Sequence, residues 1–353
     1  MTSIKSSAME PTADELEQMS TWQKMSKLLP VYGLPICMVL LIIVFSFFLP
    51  DTFPTMLNLR SILGDKAIIA ILSLAAMIPM MTGRIDLTVG YGIVLWHILA
   101  ISLQTSHGID WRLVVLIVLA AGGILGFLNG LLVEIARIDS FIATLGTGTV
   151  LYAVALWYTN GRQIVGVLPQ GFTDFYAWQP FGIPIVAFYV LVLSVGIWII
   201  TEYMPIGRSL YAIGANPRAA ELNGIPNRRF IMGAFVASGL LGAFAGLLLA
   251  ARLRIGQASV GLEYLLPALV GAFLGSTTIR PGRVNVWGTL AGVGILAVGI
   301  SGIQQFGGQF YVEPLFNGLT LLFAIGLAGY SQKRRGRPPI VKLKSPSHLS
   351  SGG

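Results

Sequence analysis

The sequence is poor in charged residues and contains a single cysteine. Charged residues make up 11% of its 353 residues, whereas soluble domains carry about 25%. Apolar residues make up 55%, and the mean hydropathy is +0.77. This composition excludes an ordinary soluble domain and indicates an integral membrane protein. Because Cys37 is the only cysteine, an intrachain disulfide and a cysteine-based metal site are excluded as well.

Motifs for catalysis and nucleotide binding are also missing. The chain has three histidines and contains no His-Glu-x-x-His pair, no Gly-x-Ser-x-Gly elbow and no Gly-x-x-x-x-Gly-Lys-Ser/Thr phosphate loop. We therefore predict no catalytic residue, no metal site and no cofactor bound by this chain. The net charge is +8. Because the distribution of the basic residues fits the loops of a membrane topology, we predict no nucleic-acid partner.

Long apolar runs recur along the whole chain. A membrane barrel would instead show short alternating segments. We predict an all-α polytopic membrane protein with about ten transmembrane helices, some of them broken. The predicted spans are residues 31–49, 67–81, 91–104, 113–133, 140–158, 184–201, 230–251, 264–279, 284–303 and 314–329.

The loops between these spans differ in charge. With the N-terminus inside, most Lys and Arg residues fall in inner loops, so the positive-inside rule predicts both termini in the cytoplasm. Residues 1–30 form a cytoplasmic leader, either an amphipathic helix on the membrane surface or a disordered segment. Residues 31–329 form the transmembrane domain with a polar loop at 202–229. The basic tail, residues 330–353, is attracted to anionic membrane lipid.

The predicted spans contain no Asp, Glu, Lys or Arg. Ion-driven carriers usually hold buried ionisable groups, because the coupling charge needs a partner inside the membrane. Their absence favours a neutral polar solute. Polar amides near span ends either hydrogen-bond the hydroxyls of such a solute or join neighbouring helices. These amides belong to Asn129, Asn285, Gln304, Gln305 and Asn317.

A glycine-interrupted segment, residues 83–90, separates the short second and third spans. It is either a capped inner turn, in which Asp86 caps the next helix, or a helix discontinuity that lines a pathway. The hydroxyl-rich start of the fifth span is a second polar face. The candidate pathway or gate residues are Gly83, Asp86, Thr88, Gly90, Asn129, Phe141 and Thr144.

Two long spans share a glycine spacing, at positions 123, 126 and 130 and at positions 239, 242 and 246. The match indicates either an inverted repeat or close helix packing through small residues. We favour packing.

Residues 210–225 form a polar stretch between two apolar runs. Asn216 is suited to an N-cap and Pro217 to the first helical position, while Gly224 and Pro226 close the segment. We predict a short capped helix on the inner side. It either transmits motion from a cytosolic partner or merely joins two spans.

Four segments, taken in order, carry a resemblance to a known family: residues 83–90, 140–147, 211–220 and 223–225. They resemble the permease subunits of bacterial ATP-binding-cassette importers for ribose, xylose, arabinose and galactose. The resemblance runs from about residue 58 to residue 329. One departure is Arg84, which stands where the family usually has glycine.

The resemblance implies a permease in the bacterial inner membrane that imports a monosaccharide or related polyol by alternating access. The loop at 202–229 would couple it to a cytosolic ATP-binding subunit, which binds the ATP. A periplasmic sugar-binding protein and a second permease copy, in a homodimer, are the other implied partners. The implied coupling residues are Asn216, Pro217, Arg218, Ala219, Ala220, Glu221, Leu222, Asn223, Gly224 and Ile225. The alternative is a secondary carrier or facilitator for a neutral polar solute.

Overall fold

The computed structural model describes residues 21–309 and 311–335, and their regular structure is helical. A single backbone β-bridge in these residues pairs Ile164 with Gly256. The predictions for most of the leader, up to residue 20, and for the tail from residue 336 onwards lie outside the described residues. The all-α fold predicted from hydropathy is confirmed.

The helices follow one another with short connections. In chain order they are α1 (Thr21–Phe48), α2 (Met56–Asp65), α3 (Ala67–Met81), α4 (Thr88–Thr105), α5 (Trp111–Glu134), α6 (Ser140–Thr159), α7 (Gln170–Ala177), α8 (Ile185–Tyr203), α9 (Pro205–Ala215), α10 (Pro217–Leu222), α11 (Asn227–Leu253), α12 (Leu265–Leu274), α13 (Val286–Gln305) and α14 (Val312–Arg335).

Seven of the described segments are long and apolar enough to cross a membrane. They are α2 joined to α3, and α4, α5, α6, α8, α11 and α13. Three shorter apolar segments lie in α1, around α12 and in α14, at Tyr32–Phe48, Leu262–Leu274 and Val312–Phe323. These segments match the predicted spans in order, so the chain is a multi-pass membrane protein.

Several predicted spans differ from the observed helices, and the first helix already begins at Thr21. The second is longer, because α2 precedes α3 and Lys66 joins them. The eighth is shorter: α12 has only ten residues, which corresponds to a length of about 15 Å. The predicted span at 264–279 therefore extends five residues beyond the C-terminal end of the observed helix. Helix α12 has about half the length that a helix needs to cross a membrane, and an irregular segment that begins at Gly275 follows it.

Part of the shared glycine spacing serves close packing of α5 against α11, whereas Gly246 packs against Trp96 of α4. A Cβ atom added to Gly126 would lie 2.2 Å from the backbone oxygen of Phe235, and one added to Gly239 would lie 2.2 Å from the oxygen of Gly122. Any side chain at these positions would push the helices apart. Packing through small residues accounts for the glycines at this contact.

Successive spans alternate in direction, so the bundle has two ends. We call the end that carries α9 and α10 the α10 end, and the opposite end, which carries α7, the α7 end. The segments before α4 and before α12 are not α-helical. Gly261 lies against Val94 in the middle of α4, which shows that the chain re-enters the bundle before α12 begins.

Candidate functional site

Helix α10 forms at the predicted place for local reasons. The side chain of Asn216 accepts a hydrogen bond from the backbone N–H of Ala219 at 3.0 Å, and Pro217 occupies the first turn. Gly224 follows with φ of +79°, a conformation that glycine adopts without strain. The predicted capped helix is confirmed in its shape and boundaries.

The two faces of α10 have different surroundings. Ala220 is 4% exposed and packs with Ile213, Ile231 and Phe235. On the opposite face, Leu222 is 75% exposed. The remaining residues of the segment are exposed, apart from the half-buried Ile225; they are Asn216, Pro217, Arg218, Ala219, Glu221, Asn223 and Gly224. Leu222 is therefore an apolar side chain on an otherwise polar, exposed face.

Helix α9 was not anticipated, although its sequence carries the signals. Pro205 occupies its first turn, and Leu210 and Ile213 are buried three residues apart. A Cβ atom on Gly214 would lie 2.1 Å from the backbone oxygen of Met81. Helix α9 therefore rests directly on the end of α3 and links α10 to the turn that begins at Gly83.

A buried polar network lies where α4 begins. Asp86 is 1% exposed and accepts hydrogen bonds from the hydroxyl of Thr88, from the backbone N–H of Thr88 at 2.9 Å and from Ser238 Oγ at 2.7 Å. Asn129 Nδ2 donates to Thr88 Oγ1 at 3.2 Å, and Thr147 Oγ1 donates to Asn129 Oδ1 at 2.8 Å. The network therefore connects α4, α5, α6 and α11.

The network corrects one expectation about charge. The predicted spans excluded residues 82–90, yet the structure buries the carboxyl group of Asp86 among helices. Although the predicted spans contain no ionisable residue, the interior of the helix bundle does contain one. Burial of a carboxyl group requires hydrogen-bond donors, and Ser238 supplies one from 152 residues away in sequence.

The irregular segment before α4 is held by hydroxyl groups of α6. Ser140 Oγ accepts from the N–H of Ile85 at 3.2 Å, and Thr144 Oγ1 accepts from the N–H of Leu87 at 3.1 Å. The other candidates lie apart. Gly83 lines a cavity at the α10 end, and Phe141 is 48% exposed on the outside of α6.

Two cavities lie on either side of α12. The one at the α7 end has a volume of about 730 Å³ and reaches Leu266 and Pro267. The one at the α10 end has a volume of about 990 Å³ and reaches Phe273. The residues of α12 between these contacts are apolar and buried. Residues 268–272 of α12 are therefore an apolar, buried stretch between the parts of the helix that reach the two cavities, and we call this stretch the barrier.

The barrier is packed tightly against its neighbours. A Cβ atom on Gly90 would lie 2.3 Å from Leu265 Cβ, and one on Gly271 would lie 2.6 Å from Ser73 Oγ. Gly90 stands two residues after Thr88, so the start of α12 lies directly beside the polar network. A movement of α4 would therefore displace α12.

The cavity at the α10 end is rich in arginine. Arg84, Arg208, Arg280 and Arg283 line it. Arg84, the departure from the family pattern, pairs with Glu134 at 3.3 Å, and Arg280 pairs with Glu202. The guanidinium carbon of Arg283 lies 3.5 Å from the ring centroid of Tyr211.

Tyr211 closes this cavity on the side of α9. Its hydroxyl donates to the backbone oxygen of Val284 at 2.9 Å. Burial raises the pKa of the Tyr211 phenol, so the group stays neutral and keeps donating. Within the described residues, no cluster of three or more His, Cys, Asp or Glu side chains is suited to a metal ion.

The amide side chains that the sequence singles out lie in two kinds of surroundings. Asn285 caps α13 and donates to the backbone oxygen of Gly275 at 2.7 Å, and Asn129 joins helices. By contrast, Gln304, Gln305 and Asn317 line the cavity at the α7 end.

Sequence comparison identifies proteins that are similar to this chain. The ribose import permease protein RbsC of Bacillus subtilis (strain 168) is 34% identical over 317 residues, which cover 88% of this chain and 97% of the relative. The galactose/methyl galactoside import permease protein MglC of Escherichia coli (strain K12) is 28% identical over 313 residues, 84% of this chain and 93% of the relative.

A third relative, the D-allose transport system permease protein AlsC of Escherichia coli (strain K12), is 26% identical over 297 residues, 84% of this chain and 90% of the relative. No solved structure matches the chain. A family described as "Branched-chain amino acid transport system / permease component" matches residues 58–327. Since this match covers most of the chain, the protein belongs to that family of transport permeases.

Proposed function

We propose that this chain is the membrane-spanning permease of an ATP-driven importer for a monosaccharide or related polyol. The relatives named for ribose, galactose and allose support the solute class. The barrier formed by α12 between two cavities is the observation that carries the transport role. A pathway that is closed in the middle and open toward each end suits alternating access.

The exposed face of α10 is the proposed docking surface for a cytosolic ATP-binding subunit, which binds the ATP. Leu222 supplies an apolar contact there, and the buried Ala220 ties the helix to the bundle. Motion of α10 passes to α9, from α9 to the end of α3 through Gly214, and then to the start of α4. From α4 it reaches α12 beside Gly90.

This assignment places the α10 end and both termini in the cytoplasm of a bacterial inner membrane, in agreement with the positive-inside rule. The α7 end then faces the periplasm, where a sugar-binding protein delivers solute. A second copy of the permease completes a homodimer. Residues 83–90, together with Asn129 and Thr144, act in this scheme as a gate that repositions α4.

The test is ATP-dependent uptake in proteoliposomes that contain the permease, its ATPase and its binding protein. Leu222→Asp places a charge in the proposed contact and lowers uptake about tenfold. Leu222→Met is the matched control and retains uptake. Equal uptake by Leu222→Asp and wild type would overturn the docking role. Sugar uptake without the ATPase would favour the secondary carrier.

A further inference from the structure

The cavity at the α7 end contains buried acceptors that the chain leaves without donors. Asn317 of α14 is 3% exposed, and within the described residues its Oδ1 has no hydrogen-bond partner. Gln305, at the end of α13, has an unpaired buried Oε1 as well. Both residues line the cavity. Such atoms are unfavourable unless a water molecule or a ligand donates a hydrogen bond to them.

Neighbouring polar side chains fix the orientation of the Gln305 amide group. Asn58 Oδ1 accepts from Gln305 Nε2 at 2.9 Å and from Ser301 Oγ at 2.8 Å. Asn58 Nδ2 in turn donates to the backbone oxygen of Phe53 at 2.8 Å. Because the nitrogen of the Gln305 amide is engaged, its oxygen remains as the acceptor for an incoming group.

The charged groups of the cavity oppose an anionic ligand. Lys66 pairs with Glu313 at 3.0 Å, and Arg252 pairs with Asp65. Glu263 also lines the cavity and accepts from the N–H of Gly261 at 2.8 Å. Both cations are therefore paired, and the lining carries more acidic than basic side chains. A phosphate or carboxylate ligand would require an available cation.

We propose that this cavity is a binding site for one neutral polyol in the size class of a monosaccharide. Two hydroxyl groups of the polyol donate to Asn317 Oδ1 and Gln305 Oε1, which supply the acceptors that a polyol requires. The volume of about 730 Å³ lies within the range of roughly 300–1,000 Å³ found for small-molecule sites. The inference deepens the proposed function and rests on it for the solute class.

Saturation-transfer NMR on the full chain in lipid nanodiscs, without its partners, tests the site directly. The probes are D-ribose, D-galactose, D-allose and, as a solute with a single acidic and basic group and no hydroxyls, L-leucine. We expect signals from at least one of the sugars and none from leucine. Asn317→Leu and, independently, Gln305→Leu weaken sugar binding about tenfold, the cost of one lost hydrogen bond in a buried site.

Gln163→Leu is the matched control, because Gln163 is an exposed glutamine that contacts Gln257 outside this cavity. It should bind sugar like the wild type. Absence of a sugar signal from the wild type, or equal affinity in the wild type and both cavity variants, overturns the site and leaves a water-filled vestibule.

Uptake by the assembled importer, measured in parallel, separates the two proposals. If ATP-dependent sugar uptake occurs and neither cavity variant changes binding, the proposed function stands and the site falls. If the cavity variants weaken sugar binding but the assembled system imports no sugar, the site stands and the proposed function falls. Leucine binding or uptake that excludes the sugars overturns both.

Discussion

The network at Asp86 and the cavity at Asn317 are both groups of polar side chains inside an apolar bundle, but they differ in how their hydrogen bonds are completed. Asp86, Thr88, Asn129, Thr147 and Ser238 satisfy one another across four helices. Asn317 and its neighbour in the cavity each leave a buried oxygen without a donor.

The comparison teaches that burial of polar groups alone does not locate a solute site. A completed network has no capacity left for a ligand and holds helices in register. An incomplete one has acceptors available where a cavity gives access. The amides that look equivalent in the sequence, Asn129 and Asn317, therefore serve different purposes.

Removal of the Asp86 carboxyl group gives the largest expected effect. Asp86→Ala leaves the donors of Thr88 and Ser238 buried without an acceptor, at a cost of roughly 1–3 kcal/mol for each buried donor. We expect a large fall in the apparent Tm of the detergent-solubilised protein. The measurement is fluorescence-detected size exclusion after heating.

Asp174→Ala provides the control for that measurement, because Asp174 is an exposed carboxylate on α7. It should leave the apparent Tm unchanged. An Asp86→Ala protein with wild-type Tm but no uptake would break the comparison, since the carboxyl group would then serve transport without stabilising the helix bundle.

An intermediate effect is expected at the contact between the two regions. Gly90→Val places a side chain where Leu265 packs, so α12 is displaced while the hydrogen bonds of Asp86 remain. Uptake should fall by about tenfold or more because the barrier no longer closes against α4. Gly146→Val is the control, since no atom lies within 4 Å of a Cβ atom added to Gly146. Wild-type uptake by Gly90→Val would contradict the role of this contact.

The sequence predicted the elements whose signals are local. Asn216, Pro217 and Gly224 specify the short helix at α10, and hydropathy specifies the order of the spans. The half-length of α12 was not predicted, although Gly275, Ser276 and Thr277 follow Leu274 directly. The predicted span ran through these residues to residue 279, because glycine, serine and threonine also occur inside membrane helices. The burial of Asp86 was not predicted either, because its carboxyl group is hydrogen-bonded by Ser238, a residue that only the fold brings near.

Among the candidate site residues, the sequence identified most of the network but could not assign its role. For Asn129, the sequence leaves open whether the amide contacts solute or joins helices. Thr88 lies in the segment 83–90, for which the alternatives are a capped turn and a helix discontinuity that lines a pathway. The difference depends on whether each polar atom finds a protein partner, which only the tertiary arrangement decides. The same limitation applied to Asn317, whose buried oxygen is exceptional only when its surroundings are known.

The smallest expected change in stability is that of Asn317→Leu, which we compare with the same substitution at Asn129. Asn129→Leu breaks hydrogen bonds to Thr88 and Thr147 and should lower the apparent Tm. Asn317→Leu removes an oxygen that already lacks a partner, so the apparent Tm should stay within about one degree or rise slightly, because the apolar replacement relieves an unsatisfied acceptor. Thermal unfolding of both variants in the same detergent checks this order. Equal losses in Tm would mean that Asn317 joins helices as Asn129 does, and the distinction between a completed network and an open site would no longer hold.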